Sequence, residues 1–397
     1  MKDTQIKKLL EAEKKRQKSV INLIASENIV SKDVMEALGS ELTNKYSEGY
    51  PGHRYYGGNE VVDKIELLAQ ERALKLFKLD SKKWSVNVQP LSGSPANLAV
   101  YTALVPKDEK IMGMSLSHGG HLTHGHKVSA TGKFWRQVSY GVDEKTETIN
   151  YAELKKITVA ENPKIIVCGF TAYPRTVDFK KFREIANVSG AILMCDMSHF
   201  AGLVAGREYA SPFDYCDIVT TTVHKTLRGP RSAMIFSKND KRGFPALIDK
   251  AVFPGLQGGP HNNQIAAVAV ALKEADSADF KKYAKQVKKN AAALANELAK
   301  RGWRIISGGT DTHLVLIDVW MGGVKNEKGA GGLTGQEASD RLEKVGIIVN
   351  KNTIPGEPRS AFDPSGIRLG SAAETTRGKK EADFKKIAEK IDNILKK

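Results

Sequence analysis

The sequence of 397 residues contains little cysteine. Its three cysteines, Cys168, Cys195 and Cys216, lie in or beside apolar, strand-like runs. We therefore expect reduced core residues rather than a disulfide framework. The chain also lacks an apolar run of about 18 residues, the length that a membrane-spanning helix requires. Residues 1–18 are charged throughout, without the apolar segment of a secretory signal or the arginine-rich pattern of a transit peptide. A cytoplasmic protein without membrane contact is expected.

Acidic residues are too few to balance the basic ones. The sequence has 61 Lys and Arg against 45 Asp and Glu, which gives a net charge of +16. The excess is spread over pairs such as Lys281-Lys282 and Lys288-Lys289, a pattern typical of solvated helix faces. Aromatic residues do not alternate with these lysines, as a stacking platform for single-stranded nucleic acid would require. A basic RNA-binding protein is therefore a weaker interpretation, although the charge would attract anionic ligands.

The apolar runs predict an α/β fold with more than one domain. From about residue 84, strands alternate with helices. This alternation predicts a mainly parallel sheet, with ligands gathered beyond the carboxyl ends of its strands. Residues 4–18 predict an amphipathic helical arm, and glycine-rich residues 321–334 predict an exposed loop. The other predicted elements are strands over 164–170, 191–195, 217–222, 232–236, 314–319 and 346–349, and helices between Asp178 and Gly190, over 279–301 and over 381–395.

Lys225 is the first candidate for chemistry. It follows the apolar, β-branched run at 220–223, and burial at the end of a strand penalises the charged form of a lysine. A lowered amine pKa is also what a Schiff-base lysine needs. Asp196 ends the preceding predicted strand. An amine for an aldehyde and a carboxylate for a pyridinium nitrogen are the two groups that a pyridoxal phosphate (PLP) site requires.

Further motifs follow one another along nearly the whole chain. They are LIASEN (23–28), NKYSEGYPG (44–52), RYYGG (54–58), SGSPAN (92–97), HGGHLTHG (118–125), TTTVHKTLRGP (220–230), FPGLQGGP (253–260), NKNTIP (350–355) and SGIRLG (365–370). In this order they resemble the serine hydroxymethyltransferase family, PLP enzymes of the aspartate aminotransferase-like fold. The resemblance implies an N-terminal arm (1–30), a large PLP domain (31–277) with a mainly parallel seven-stranded sheet flanked by helices, and a smaller α+β C-terminal domain (278–397).

The resemblance also implies the cofactor residues. PLP would be covalently bound to Lys225, with Asp196 at its pyridine nitrogen. The remaining expected contacts are His121, His199, Ser92, Gly93, Ser94 and Thr171 in the same chain, and Tyr46, Gly258 and Gly259 of a neighbouring subunit. From the residues alone, Ser94 and Pro95 predict the N-cap and first position of a helix. The amides and dipole of such a helix favour a phosphate.

Substrate residues follow from the same resemblance. Arg368 would hold the carboxylate of L-serine, as a guanidinium can do in bidentate fashion, with Ser26 close by. Glu48 would be the acid–base group, and we expect neighbouring tyrosines to raise its pKa towards neutrality. The catalytic set is completed by Thr222 and His224, and the substrate set by Tyr56 and His199. The co-substrate tetrahydrofolate is expected at Glu48, Tyr56, Leu116, Gly120, His121, Leu122, Asn352, Ser360, Ala361 and Phe362.

The histidines at 118, 121, 124 and 126 invite a metal-site interpretation. Their spacing through glycines is loose, and no cysteine or acidic ligand accompanies them. No metal is therefore expected.

The expected activity is the reversible conversion of L-serine and tetrahydrofolate to glycine and 5,10-methylenetetrahydrofolate. A homodimer with shared active sites, or a dimer of such dimers, is implied. A folate-independent PLP aldolase of 3-hydroxy amino acids would use the same lysine, aspartate and arginine, but the presence of Glu48, Tyr56 and Asn352 favours the transferase. Departures from the family pattern at Thr171, Val223 and Ser232-Ala233 affect fine positioning more than the reaction.

Overall fold

The computed structural model describes residues 1–321 and 332–397. The helices are α1 (Thr4–Ser19), α2 (Lys32–Leu38), α3 (Glu60–Leu76), α4 (Gly93–Leu104), α5 (Ala130–Phe134), α6 (Tyr151–Glu161), α7 (Phe179–Ser189), α8 (Ala201–Ala205), α9 (Phe244–Lys250), α10 (Asn262–Ala275), α11 (Ala278–Lys300), α12 (Gly335–Lys344), α13 (Ala372–Thr376) and α14 (Glu381–Leu395). The strands are β1 (Ile21–Asn22), β2 (Gly49–Tyr50), β3 (His53–Arg54), β4 (Trp84–Asn87), β5 (Lys110–Met114), β6 (Arg136–Tyr140), β7 (Ile165–Gly169), β8 (Ile192–Asp196), β9 (Ile218–Thr222), β10 (Ala233–Lys238), β11 (Arg304–Ile305), β12 (Leu314–Asp318), β13 (Ile347–Ile348), β14 (Asn350–Asn352) and β15 (Gly366–Gly370). The loop predicted at 321–334 lies mostly outside the described residues. No helix in the described ranges is both long and apolar enough to cross a membrane.

The large sheet has seven strands in the order β4-β10-β9-β8-β7-β5-β6. The five strands from β9 to β6 are parallel, and β10 pairs antiparallel with both β9 and β4. Every residue of β7 and β9 is buried, which explains why these strands read as continuous apolar or β-branched runs. The predicted α/β fold with a mainly parallel sheet is confirmed. Because the parallel strands share one direction, their carboxyl ends meet at one edge.

Helix α7 shows how the sequence sets element ends on this sheet. Asp178 accepts a hydrogen bond from the amide of Lys181 at 3.0 Å and caps the first turn. The helix ends where Gly190 adopts a left-handed conformation with φ of 67°. Its Phe179 and Phe182 side chains are buried against the core. The predicted bounds of this helix are therefore confirmed.

Helix α4 corrects one prediction. It begins at Gly93 with Ser92 in the N-cap position, not at Pro95 with Ser94 as the cap. The carbonyl of Ser92 accepts the Ala96 amide at 3.1 Å. Proline fits at the third helical position because the first turn's amides have no intrahelical acceptor to lose. The Ser94 side chain thus lies within the first turn of the helix.

The second region contains a four-stranded antiparallel sheet in the order β11-β12-β15-β14. Its core is formed by apolar residues of α11, α12 and α14 packed on these strands, among them Leu294, Leu342 and Ile391. Helix α14 has the predicted bounds. The strand predicted at 346–349 is shorter, and it pairs in parallel with β1 of the N-terminal segment. The domain boundaries at residues 30 and 277 stay predictions.

Candidate active site

The site lies at the carboxyl edge of the large sheet. Strands β7, β8 and β9 end there beside the start of α4, and β15 of the second sheet closes the opposite side. Together they surround a cavity of about 390 Å³. Of the residues predicted from the sequence, those lining it are Ser26, Ser92, Gly93, Ser94, His121, Thr171, Asp196, His199, Thr222, His224, Lys225 and Arg368.

Lys225 follows β9 and is only 9% exposed. The pKa of its amine is lowered to about 8, mainly by burial; the charge of Asp196 opposes this shift, and the charges of Arg368 and Arg231 add to it. The direction follows from desolvation of the ammonium form. At neutral pH a useful fraction of this amine is therefore an unprotonated nucleophile.

Asp196, the last residue of β8, is almost fully buried. Its Oδ2 accepts hydrogen bonds from Asn97 Nδ2 at 2.8 Å and His124 Nε2 at 3.1 Å. Its Oδ1 accepts the Ser198 amide at 3.1 Å. Burial alone would raise the pKa of this carboxyl, but the hydrogen bond from His124 and the nearby positive charges hold it below its usual value. Asp196 is thus an ionised carboxylate with acceptor capacity left on Oδ1.

His124 and Asn97 are site residues that the sequence did not assign. His124 Nδ1 accepts the His121 amide at 3.2 Å, so the proton of the neutral ring lies on Nε2, which donates to Asp196. Asn97 Oδ1 accepts from the Thr220 hydroxyl at 2.7 Å, which directs its amide nitrogen towards the same carboxylate. The cluster of histidines at 118–126 was the only sequence signal for His124.

His121 lines the cavity as a neutral ring. Burial, and then the proximity of His124, lower its pKa to about 4. Its Nδ1 accepts the Thr123 amide at 3.2 Å. The ring is therefore held in one orientation and offers an aromatic face without charge.

The other end of the cavity is formed by the first turn of α4. Gly93 is required here, since a Cβ on it would lie 2.8 Å from Cγ2 of Thr222. The backbone can therefore approach a ligand closely at the positive end of a helix of 12 residues, and the hydroxyls of Ser92 and Ser94 lie beside it. Free amides, a helix dipole and hydroxyls suit a phosphate. This end, together with the buried amine of Lys225 and the ionised Asp196, fits PLP.

Arg368 lies on β15 and is 7% exposed. Its Nη1 donates to the Thr171 carbonyl at 2.8 Å and its Nε to Asn350 Oδ1 at 3.1 Å. Burial lowers its pKa to about 10, which leaves it charged at neutral pH. In the described ranges no carboxylate pairs with this guanidinium. Because a buried positive charge is costly without a partner, the guanidinium is suited to bind an anionic ligand.

Tyr46, Glu48, Gly258 and Gly259 form a second cluster that does not line the cavity. Tyr46 donates to Glu48 Oε1 at 3.3 Å. A Cβ on Gly259 would lie 3.2 Å from the Tyr46 ring, and one on Gly258 would lie 3.2 Å from Glu48 Oε1. Tyr56 packs edge-on against Tyr46, with ring centroids 5.0 Å apart. The structure thus brings these predicted residues together, but apart from Lys225.

Arg54 holds the backbone on both sides of Glu48. Its Nη1 donates to the carbonyls of Ser47 at 2.9 Å and Gly49 at 2.7 Å. Its Nη2 pairs with the buried carboxylate of Glu66 at 2.6 Å. This ion pair fixes the loop that presents Glu48. It could not be predicted from the sequence because its two partners lie on different elements.

The remaining folate residues, apart from His121, do not line the Lys225 cavity. Leu116, Gly120 and Leu122 lie in short turns after β5, and Asn352 lies on β14. Phe362 is 88% exposed. Among the expected folate contacts, only His121 lines the Lys225 cavity. The folate assignments stay predictions.

Comparison with known proteins gives one consistent result. The family model described as serine hydroxymethyltransferase matches residues 1–391. A "Serine hydroxymethyltransferase, mitochondrial" of Schizosaccharomyces pombe is 50% identical, over 99% of this chain and 82% of its own length. A "Serine hydroxymethyltransferase" of Desulfotalea psychrophila is 51% identical, over 99% of this chain and 88% of its own length. The chain therefore belongs to the serine hydroxymethyltransferase family of PLP-dependent transferases.

Proposed function

We propose that this chain converts L-serine and tetrahydrofolate reversibly to glycine and 5,10-methylenetetrahydrofolate, with PLP bound covalently to Lys225. The observation that carries the proposal is the meeting of three buried groups in one cavity: the amine of Lys225, the carboxylate of Asp196 and the guanidinium of Arg368, which pairs with no carboxylate among the described residues. A PLP enzyme that acts on an amino acid needs all three groups. The amine binds the aldehyde of the cofactor, the carboxylate pairs with the cofactor ring, and the guanidinium binds the carboxylate of the amino acid.

The residues that would hold PLP each have a separate task. Asp196 would pair with the pyridine nitrogen and keep it protonated, because its own carboxyl is held ionised. His121 would lie against the ring, and the first turn of α4 would bind the phosphate. Bound PLP supplies an electron sink for the charge that develops on the α-carbon of the amino acid.

Arg368 would orient the amino acid. Its hydrogen bonds to the Thr171 carbonyl and to Asn350 fix the plane of the guanidinium, and Nη2 has no hydrogen-bond partner in the part of the chain that the structure describes. Two-point binding of the serine carboxylate, with Ser26 beside it, would hold the α-carbon in one position. Such positioning is a main source of rate enhancement in a two-substrate reaction.

Proton transfer is assigned to Glu48, with Thr222 and His224 beside the reacting lysine. Burial, and then the charge of Lys225, lower the pKa of His224 to about 3, so it would serve as a neutral group. Glu48 is only partly buried, and its carboxylate accepts a hydrogen bond from Tyr46. We assign to it the proton exchange with the acceptor nitrogen of tetrahydrofolate.

A homodimer would bring the two clusters together. Glu48 and Tyr46 do not line the Lys225 cavity of their own chain. Tyr55 is 73% exposed, Tyr46 54% and Tyr56 48%. The N-terminal helix α1 buries none of its residues and leaves Leu9 66% exposed. Exposed apolar surface of this kind marks an interface, and a second copy of the chain would supply the missing acid–base group. The expected cytoplasmic location stays a prediction.

The test separates the transferase from a folate-independent aldolase. Glu48→Gln should lower folate-dependent cleavage of serine by about 10²–10⁴-fold, the range for general acid–base help. The same variant should still bind glycine, as detected by a change in the absorbance spectrum of the holoenzyme. It should also cleave bulkier 3-hydroxy amino acids slowly. A parallel loss of both activities would make Glu48 a structural residue or a general residue of the PLP site. No loss of either would favour the aldolase.

A further inference from the structure

His313 contacts His199, which lines the active-site cavity, but does not line the cavity itself. The proposed function assigns no role to His313. It lies just before β12 and is fully buried. Its Nε2 is 3.3 Å from Nδ1 of His199 and 3.1 Å from the carbonyl oxygen of Ala25. The two imidazole planes differ by 26°. One ring nitrogen of His313 thus faces two atoms at once.

The proton on His313 can be placed from these contacts. A carbonyl oxygen only accepts hydrogen bonds, so the nitrogen that faces Ala25 must carry the proton. The other nitrogen, Nδ1, is buried without a hydrogen-bond partner in the described residues. The opposite tautomer would bury an unpaired N–H and set two lone pairs against each other, which is costlier than leaving a bare nitrogen unpaired. His313 therefore carries its proton on Nε2.

The carbonyl of Ala25 is held firmly in place. Gly370 on β15 approaches this residue so closely that a Cβ would lie 2.4 Å from Cα of Ala25. The Gly370 amide also donates to the Leu23 carbonyl at 2.7 Å. The acceptor that selects the tautomer of His313 therefore lies in a segment packed tightly against the last residue of β15.

The proton on His199 then follows. Because the single Nε2–H of His313 faces both the Ala25 carbonyl and Nδ1 of His199, that Nδ1 cannot carry a proton of its own and must be an acceptor. Both rings are neutral: burial and the charge of Lys225 hold the pKa of His199 well below its usual range, and burial and the charge of Arg368 lower that of His313 to about 3. A neutral His199 with a bare Nδ1 carries its proton on Nε2, which has no protein partner in the described ranges, and the ring lines the cavity.

We propose that His313 is a positioning residue that fixes His199 as a hydrogen-bond donor into the cavity, to an anionic oxygen of the bound ligand. A carboxylate in the place of His313 would have the opposite effect, since it would draw the proton to Nδ1 and leave Nε2 as a base. The inference rests on the proposed function only in taking this cavity as the ligand site. His199 is thereby excluded as a base that takes a proton from the ligand, because the Nε2 that faces the cavity already carries one.

The tautomer can be observed without measuring activity. In the full chain labelled with ¹⁵N-histidine, studied first without cofactor and then as holoenzyme, long-range ¹H–¹⁵N spectra distinguish the two neutral tautomers, and the signals lost in His199→Gln assign that ring. We expect the Nε2–H form. Movement of its Nε2 signal on adding glycine would place the acceptor on the amino acid, and movement on loading PLP alone would place it on the cofactor. An Nδ1–H form, or a signal that moves with neither, would overturn the proposal.

Two substitutions distinguish a role of His313 as a hydrogen-bond donor from a role in packing alone. In His313→Gln, the side-chain amide can take the place of Nε2–H against the Ala25 carbonyl, so the tautomer of His199 should be kept. In His313→Leu the donor is lost, the Nδ1–H form should become populated, and kcat/KM for serine should fall by roughly tenfold to a hundredfold, the range for one hydrogen bond to a charged acceptor. Gln should recover most of this loss.

A third variant is the control. His126→Gln changes a histidine that does not line the cavity and should leave the tautomer of His199 unchanged. A wild-type tautomer in His313→Leu would refute the role of His313. If the leucine variant fails to fold, the wild-type spectrum and the glutamine variant still decide.

Discussion

The amine of Lys225 should titrate near pH 8 in the cofactor-free protein, because burial lowers its pKa from 10.5 to about 8. At pH 7 a lysine with a pKa of about 8 is roughly one-tenth neutral, whereas one at 10.5 is neutral in only about 3 molecules of 10⁴. The buried amine should therefore be about 300-fold richer in the reactive form. This gain is what allows a lysine to attack an aldehyde at neutral pH.

Two neighbours should move this value in opposite directions. Arg368 lowers the pKa of Lys225 and Asp196 raises it. Arg368→Gln should consequently raise the pKa of the amine, because a like charge is removed. Asp196→Asn should lower it further, because the attractive charge of Asp196 is lost. Neither shift in the pKa of Lys225 would be expected if its amine were exposed to solvent.

Competitive acetylation measures the titration directly. Trace acetic anhydride would be applied to the cofactor-free protein between pH 6 and 11, and the acetylated fraction of the Lys225 peptide would be compared with that of the exposed Lys282. The reaction reports the neutral amine at each pH. A midpoint near 10.5 for Lys225, or shifts of the same sign in both variants, would refute the electrostatic account of the site.

The other predictions concern the cofactor ring and the assembly. Asp196→Asn should retain PLP but slow the exchange of the glycine α-proton by about 10²–10³-fold, as expected when one preorganised charge is removed; unchanged exchange would exclude its role at the pyridine nitrogen. The holoenzyme should sediment as a dimer or larger at assay concentration, because Glu48 lies outside the Lys225 cavity of its own chain. A fully active monomer would contradict the shared site.

The elements that the sequence predicted well are those with local signals. Helix α7 has a capping aspartate, an apolar stripe and a terminal glycine, and all three lie within a dozen residues of one another. Lys225 and Asp196 were predictable because each follows its own apolar strand. The misplaced start of α4 is a local error of two residues: proline is tolerated throughout the first turn, so Pro95 does not mark a single position.

The groups that escaped prediction act across long distances in the sequence. His124 donates to a carboxylate 72 positions away, and His313 contacts a ring 114 positions away. Neither residue lies in a periodic pattern that would distinguish it from a core histidine. Arg54 and Glu66 form a buried pair whose function depends on the carbonyls it holds. Such contacts are specified by the packing of the sheet and not by any short motif.

The pairing of strand β1 with β13, near the other end of the sequence, bears on when the site can form during synthesis. Asn22 donates its amide to Glu374, 352 positions further along the chain, and Ile21 pairs with Ile347. At about 5–20 residues per second, a ribosome needs about 18–70 s to make the stretch between Asn22 and Glu374. Until then the segment that carries Ser26 has no partner strand with which to pair, although all strands of the large sheet are already translated. Ser26 and Arg368 therefore meet among the last events of folding, and a chain released early would keep Lys225 and Asp196 but could not hold the amino acid.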